Sequence, residues 1–320
     1  MKSGIILTSL LIAFQFMFAQ ARKVEMLPYG DFNNWVTRQI KESSVLGGKQ
    51  KECFAVGPTK KIVGSRPYVS TGGSPWASSN VMAKVAGVTK VSNAVFPDER
   101  SAGNKCARLT TMIEQCKVLG LVNLDVLVAG TLFLGKMNEP IRSTTNPYSK
   151  MEMGVPFTKR PVAMSYDYRL DIPADGEITY SSGFGSKRTS PGTDKAEAFI
   201  LLQRRWEDEQ GNIFAKRVGT GRELLGRQTD GWVNGHTLEI NYGDISGKPF
   251  YKKRMGLIPE SKSYYARNSK GKMVPVKEVG WDSEDAVPTH IIVMFSSGSG
   301  DPYTGTVGMT FWVDNVALVY

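Results

Sequence analysis

Hydrolysis of a glycosidic bond needs two carboxylates, about 5–5.5 Å apart for retention and about 6.5–9.5 Å apart for inversion. The chain offers Glu207, Asp208, Glu209, Glu278, Asp282 and Glu284. None of them lies in an ExDxxE strand. Trp206 to Asn212 (WEDEQGN) reads as a charged hairpin turn after a strand. Glu278 and Asp282 flank Trp281 in a loop before the last two strands, so they are the carboxylates best placed at a binding edge. Nucleophilic chemistry has less to work with. His236 and His290 are the two histidines, and His290 opens an apolar run, where it reads as a structural residue. There is no GxSxG. Gly183-Phe184-Gly185 is not followed by a helical pattern and cannot be a phosphate loop.

Sugar binding asks for less: exposed aromatic faces, and planar polar groups to pair with hydroxyls. The tryptophans are Trp35, Trp76, Trp206, Trp232, Trp281 and Trp312. Trp312 sits in an apolar strand and reads as core, and Trp35 reads as packing under an N-terminal turn. Trp76, Trp232 and Trp281 lie in polar, loop-like surroundings, as do Tyr264 and Tyr265. Taken singly, each reads as a loop anchor. As a set, with Glu278 and Asp282, they are the candidate carbohydrate-binding platform.

Short strands must position these residues. Val122, Leu124, Val126, Val128, Leu132 and Leu134 alternate, with Gly130 as a bend or bulge. Val162 to Leu170, Ala198 to Leu202 and Leu238 to Tyr242 alternate likewise. The last thirty-two residues hold two apolar runs, Ile291–Phe295 and Met309–Tyr320, around a glycine-rich loop. A terminal strand this apolar must insert between other strands. Trp35 to Glu42 reads as a two-turn helix, and residues 50–104 give few clear signals. Asn138–Gly154, Ser181–Thr193, Gly219–Gly231 and Pro259–Gly271 read as turn tracts. Period-two segments between Gly/Pro/Asn/Ser loops predict an all-β antiparallel sandwich of jelly-roll type. The first and last strands are expected in the same sandwich.

Met1-Lys2, an apolar segment from Gly4 to Ala19 and a small-x-small site at Ala19–Ala21 read as a secretory signal peptide over residues 1–21. Residues 22–320 then form one domain, expected in the periplasm or outside the cell, with no further run able to span a membrane. Removing Lys2 lowers the formal charge from +10 to +9. The basic residues are scattered in twos and threes, which argues against nucleic acid as a partner. Three cysteines, Cys53, Cys106 and Cys116, permit at most one disulfide. A Cys106–Cys116 staple and buried free thiols are both open readings.

Gly30-Asp31-Phe32 with Trp35, and a closing Trp312-Val313-Asp314-Asn315-Val316, resemble the ends of galactose-binding-like jelly-roll carbohydrate-binding modules. Gly154–Tyr168 (GVPFTKRPVAMSYDY) and Thr289–Tyr320 resemble the putative carbohydrate metabolism domain, PCMD, of exported Bacteroidetes proteins. The resemblance is strongest over residues 154–320. It implies a β-sandwich and a link to carbohydrate, and it transfers no catalytic residues. The jelly-roll likeness also implies one structural calcium ion between Asp31 and Asp314. The competing reading is that each carboxylate accepts backbone N–H bonds at a turn or bulge. Three functions follow as expectations: a carbohydrate-binding protein of glycan capture or metabolism, a glycoside hydrolase-like enzyme on the same scaffold, or a surface adhesion protein. The last expects Trp76, Trp232 and Trp281 all to be buried.

Overall fold

The computed structural model describes residues 22–320 except 71, 86, 119–121, 144 and 183–185. The leader read over residues 1–21 and the Gly183–Gly185 tract lie outside the described residues, as does the side chain of Cys116. The described chain is all-β, with four single-turn 3-10 segments as its helical content.

Two sheets face each other. The first runs Val233–Glu239, Ala163–Asp171, Thr310–Val319, Asn104–Thr110, Val95–Ser101, with Val24–Met26 also pairing onto the terminal strand. The terminal strand is thus inserted between two others, and Val24 pairs with Val319, as the sequence predicts. Alternation sends Met164, Tyr166, Leu170, Phe311 and Val313 into the sandwich core. There they meet Leu132, Ala198, Ile200, Leu202, Ile291, Val293 and Phe295 of the second sheet. Phe295 and Phe311 are fully buried, their rings 6.2 Å apart. Each such side chain contributes roughly 1.5–3 kcal/mol of transfer free energy.

The second sheet does more than cover the first. Its strands Thr131–Met137, His290–Ser296, Ala196–Glu207, Ile213–Leu225, Met273–Trp281, Tyr265–Arg267 and Met151–Met153 pair in that order. The last returns to the first, which closes a ring of seven. Two of the seven pairings are parallel. Residues of the opposite parity, Phe133, Met153, Phe199, Leu201 and Ile292, fill the ring with Ile258 and Tyr264.

Three local expectations are corrected. Trp35–Lys41 is a strand, not a helix, paired with Gln50–Val56 and Lys60–Val63. Its side chains bury with period two, and Ile40 packs on Cys53, Met82 and Val91. Residues 219–225 continue a thirteen-residue strand rather than open a turn. The alternating run from Val122 to Leu134 divides into Val122–Val128 and Thr131–Met137, which enter different sheets, with the break at residues 129–130. Cys53 and Cys106 are buried free thiols, and burial pushes both up to about 12.

The polar pair in the terminal strand sits on a bulge. The register shifts between Ser165 and Asp167, and Asn315 takes a left-handed φ of 51°. Asp314 is fully buried, and Arg100 Nη1 donates to it at 2.7 Å and to Asp167 at 2.7 Å. Burial holds the Asp314 carboxyl above the usual range. The bulge also leaves Val316 free to pair with the N-terminal turn: its N–H donates to Gly30 O at 2.9 Å, and its carbonyl accepts from Leu27 N at 2.9 Å. A Cβ on Gly30 would lie 2.5 Å from Val316 O and 2.9 Å from Leu27 O. Both are backbone atoms with little room to yield. Gly30→Ala is therefore expected to cost about 1–3 kcal/mol through overpacking, read as a lower urea midpoint at unchanged m-value.

Candidate functional site

A cavity of about 600 Å³ opens where the ring meets the N-terminal strands. Its size is that of a small-ligand site. Trp76, Tyr68 and Phe54 supply aromatic surface, while Glu139, Glu152, Arg205, Arg267 and His290 supply polar and charged groups. Each arrives by strand geometry. Trp76 begins a short edge strand paired to Leu134, and Glu152 pairs across from Lys136. Arg205 continues the ring-facing parity of Phe199, Leu201 and Gln203. His290 starts its strand opposite Gln203.

Glu139 is fully engaged. It takes Arg38 through two bonds of 2.8 and 2.7 Å, and it accepts the Tyr68 and Met82 N–H groups at 2.9 and 2.8 Å. Glu152 stands 3.6 Å from Arg267 Nε, and its Oε2 is buried without a hydrogen bond. Beneath these, in the ring, Arg217 and Glu278 form a buried pair at 2.5 and 2.7 Å. Gln203 Nε2 donates to Glu278 at 2.6 Å, and Gln203 Oε1 accepts from Arg205 Nε at 2.8 Å. Burial raises the Glu278 carboxyl, but Arg217 and the Ile258 and Gln203 donors outweigh it and hold the group below its ordinary range.

His290 is neutral at pH 7. Burial, then the charge of Arg205, lowers it to about 4. The unfolded chain takes up this proton near pH 6.5 and the folded chain does not until about pH 4, so stability falls as pH drops through that window. His290→Gln is expected to flatten the dependence of Tm on pH between 6.5 and 4.5. Superimposable profiles for the two proteins would contradict this.

The residues singled out from the sequence do not gather at one place. Trp76 lines the cavity by an edge. It is 5% exposed, with its ring against Phe32 and Phe295 and its Nε1 donating to Pro28 O at 2.9 Å. Trp232 and Trp281 keep part of their surface. Trp232 lines a shallow depression of about 450 Å³ with Tyr168 and residues 227–231, and Arg100 lies over its ring at 4.3 Å. Trp281 ends its strand with Arg217 5.7 Å from its ring. Asp282 beside it binds Arg204 at 2.6 and 3.0 Å, which holds its carboxyl low. Tyr264 is buried in the ring, stacked on Phe199 at 6.2 Å, and Tyr265 accepts from Asn146 at 3.0 Å. Glu278 is the ring's buried counter-ion.

Asp31 accepts from the Asn33 side chain at 3.2 Å. Asp314 already has its cation in Arg100, so an ion there would have to displace the guanidinium. Among the described residues, no group of three or more His, Cys, Asp or Glu side chains is placed to hold a metal.

Sequence reasoning did not single out Arg205, Glu139, Glu152 or Tyr68. Arg205 had a signal: the parity of Phe199, Leu201 and Gln203 carries it inward.

Most residues around the cavity fall between positions 59 and 216. Residues 59–216 match the family model of PCMD, the putative carbohydrate metabolism domain. That match bears out the resemblance to PCMD over part of the chain. The PCMD match takes in GVPFTKRP but ends before the Thr289–Tyr320 stretch. Among solved structures, the chain is similar to a putative glycoside hydrolase from Bacteroides thetaiotaomicron (18% identity, 86% of this chain and 76% of that one, TM-score 0.45). It is also similar to a putative glycoside hydrolase from Bacteroides vulgatus (13% identity, 92% and 94%, TM-score 0.43). A third likeness is to a carbohydrate-binding module specific for non-crystalline cellulose (11% identity, 76% and 87%, TM-score 0.29). No curated protein matches. Among the described residues, no helix is long and apolar enough to cross a membrane.

Proposed function

We propose that the protein acts after export as a carbohydrate-binding protein, and that an oligo- or polysaccharide segment seats in the cavity beside Trp76. The observation that carries this reading is a ligand-sized cavity, with aromatic and hydrogen-bonding walls, built largely from the PCMD span. Binding without hydrolysis is favoured by the state of its carboxylates. Glu139 is held by Arg38 and two backbone N–H groups, so Glu152 lacks a second available carboxylate among the described lining residues. Both roles of a two-carboxylate mechanism are then not filled. Glycan-array binding by the purified protein, without release of reducing ends on prolonged incubation, supports the reading. Steady hydrolysis of any bound glycan overturns it in favour of an enzyme. Cell fractionation with N-terminal sequencing tests export, and the expected mature terminus is Arg22.

A further inference from the structure

The buried guanidinium groups of Arg38 and Arg217 hold Glu139 at 2.7 Å and Glu278 at 2.5 Å, and the half-buried Arg222 holds Glu197 at 2.8 Å. Arg205 holds none. Its Nε donates to Gln203 Oε1 at 2.8 Å and its Nη2 donates to Met153 O at 3.0 Å, both neutral. Among the described residues, no carboxylate comes within 4.0 Å of it. Arg205 is half-buried, and it lines the cavity. Burial lowers its pKa to about 10, so it is charged at neutral pH, and Glu278 and Glu152 act on it only at longer range.

Glu278 cannot move in to neutralise it. Glu278 Oε1 is taken by Gln203 and Arg217, and Oε2 by Arg217 and the Ile258 N–H. Glu152 faces Arg267. The backbone is also shaped around the guanidinium. Gly154 has a φ of 92°, and a Cβ there would lie 2.7 Å from Arg205 Nη2. A guanidinium has five N–H donors, and two are used here, leaving three. Around the cavity, the cations Arg38, Lys136, Arg205 and Arg267 outnumber the carboxylates Glu139 and Glu152, with His290 neutral. A charge kept in this setting without a partner is costly, unless a ligand supplies the partner.

We propose that Arg205 is the anion-recognition residue of the cavity, and that the glycan bound there is acidic, bearing a carboxylate or sulfate group. Its free donors suit either group, because a guanidinium pairs with planar or tetrahedral oxyanions through parallel N–H bonds. The inference rests on the reading of the cavity as a glycan site.

The test uses an array of neutral, uronic-acid and sulfated glycans. Titration calorimetry then follows on the best acidic binder and its neutral counterpart, carboxyl-reduced or desulfated. The acidic form is expected to bind at least tenfold tighter, with affinity falling as salt rises. Arg205→Gln is expected to erase the difference between the two forms, and Arg205→Lys to restore part of it. The winning class on the array separates carboxylate from sulfate. Arg205→Met is expected to lower Tm by no more than the loss of its two hydrogen bonds, to Gln203 Oε1 and Met153 O, because its charge has no counter-ion among the described residues. Equal affinity for both forms, unchanged in Arg205→Gln, overturns the inference and leaves the glycan site standing. No binding of any glycan, neutral or acidic, removes the site and the inference together. A loss of Tm in Arg205→Met larger than two hydrogen bonds account for also overturns the inference, by showing that the fold needs this charge for itself.

Discussion

Glu278→Ala is expected to lower the unfolding free energy by about 3–5 kcal/mol, because it strands a charge inside the ring. The Arg217 and Glu278 side chains are 1% and 0% exposed. Removing the acid leaves the guanidinium, the Gln203 amide and the Ile258 N–H without their acceptor. The charge accounts for most of the effect, so Glu278→Gln, which keeps the shape, is expected to be costly too. The double variant Arg217→Met/Glu278→Leu is expected to recover most of the loss, since a buried pair contributes little over packed apolar groups of similar size. Urea unfolding of the four proteins reads this directly. A loss below about 1 kcal/mol for Glu278→Ala would sink the assignment of Glu278 to the scaffold and return it to the candidate ligand contacts.

Trp76→Ala is the second large effect, expected at about 3–5 kcal/mol. Trp76 packs edge-on to Phe32 at 5.2 Å and tilts over Phe295 at 6.4 Å, so it ties the N-terminal turn to the sandwich core. Trp76→Phe keeps an aromatic ring there and loses the bond to Pro28 O, a change of about 1–2 kcal/mol. The ratio of the two losses, measured by urea midpoints, separates core packing from a surface role. If both variants stay within about 0.5 kcal/mol of the parent, Trp76 does not carry the core.

Period-two patterning made the sandwich legible. Met164, Tyr166 and Leu170, or Ala198, Ile200 and Leu202, show the same parity in sequence and in burial. It could not reveal the ring, whose closure joins Thr131–Met137 to His290–Ser296 and depends on two parallel pairings between distant segments. Trp35–Lys41 looked helical because seven residues are too few to separate the two periods. The glycines at 219 and 221 suggested a turn. In the fold they let the strand pass close to Ile240 and to the Glu239 carbonyl. The candidate site was the least legible part. Trp76 sits among glycine, serine and proline along the chain and Glu278 beside Lys277, yet their contacts in space are Phe32, Phe295 and Arg217. The Asp314–Asn315 pair was legible as a problem, but its partner Arg100 lies 214 residues away.

The shared wall has a thermodynamic consequence. Thr131–Met137, Ala196–Glu207 and His290–Ser296 send alternate side chains into the sandwich core and into the ring, so neither interior can loosen while the other stays packed. The two hydrophobic cores are therefore expected to melt as one cooperative unit, with calorimetric and van't Hoff enthalpies in agreement. The cavity lies where that wall meets the N-terminal strands, so a ligand bound there should raise the melting temperature of the whole unit. A thermal-shift measurement would thus report occupancy of the cavity before the glycan's linkage is known.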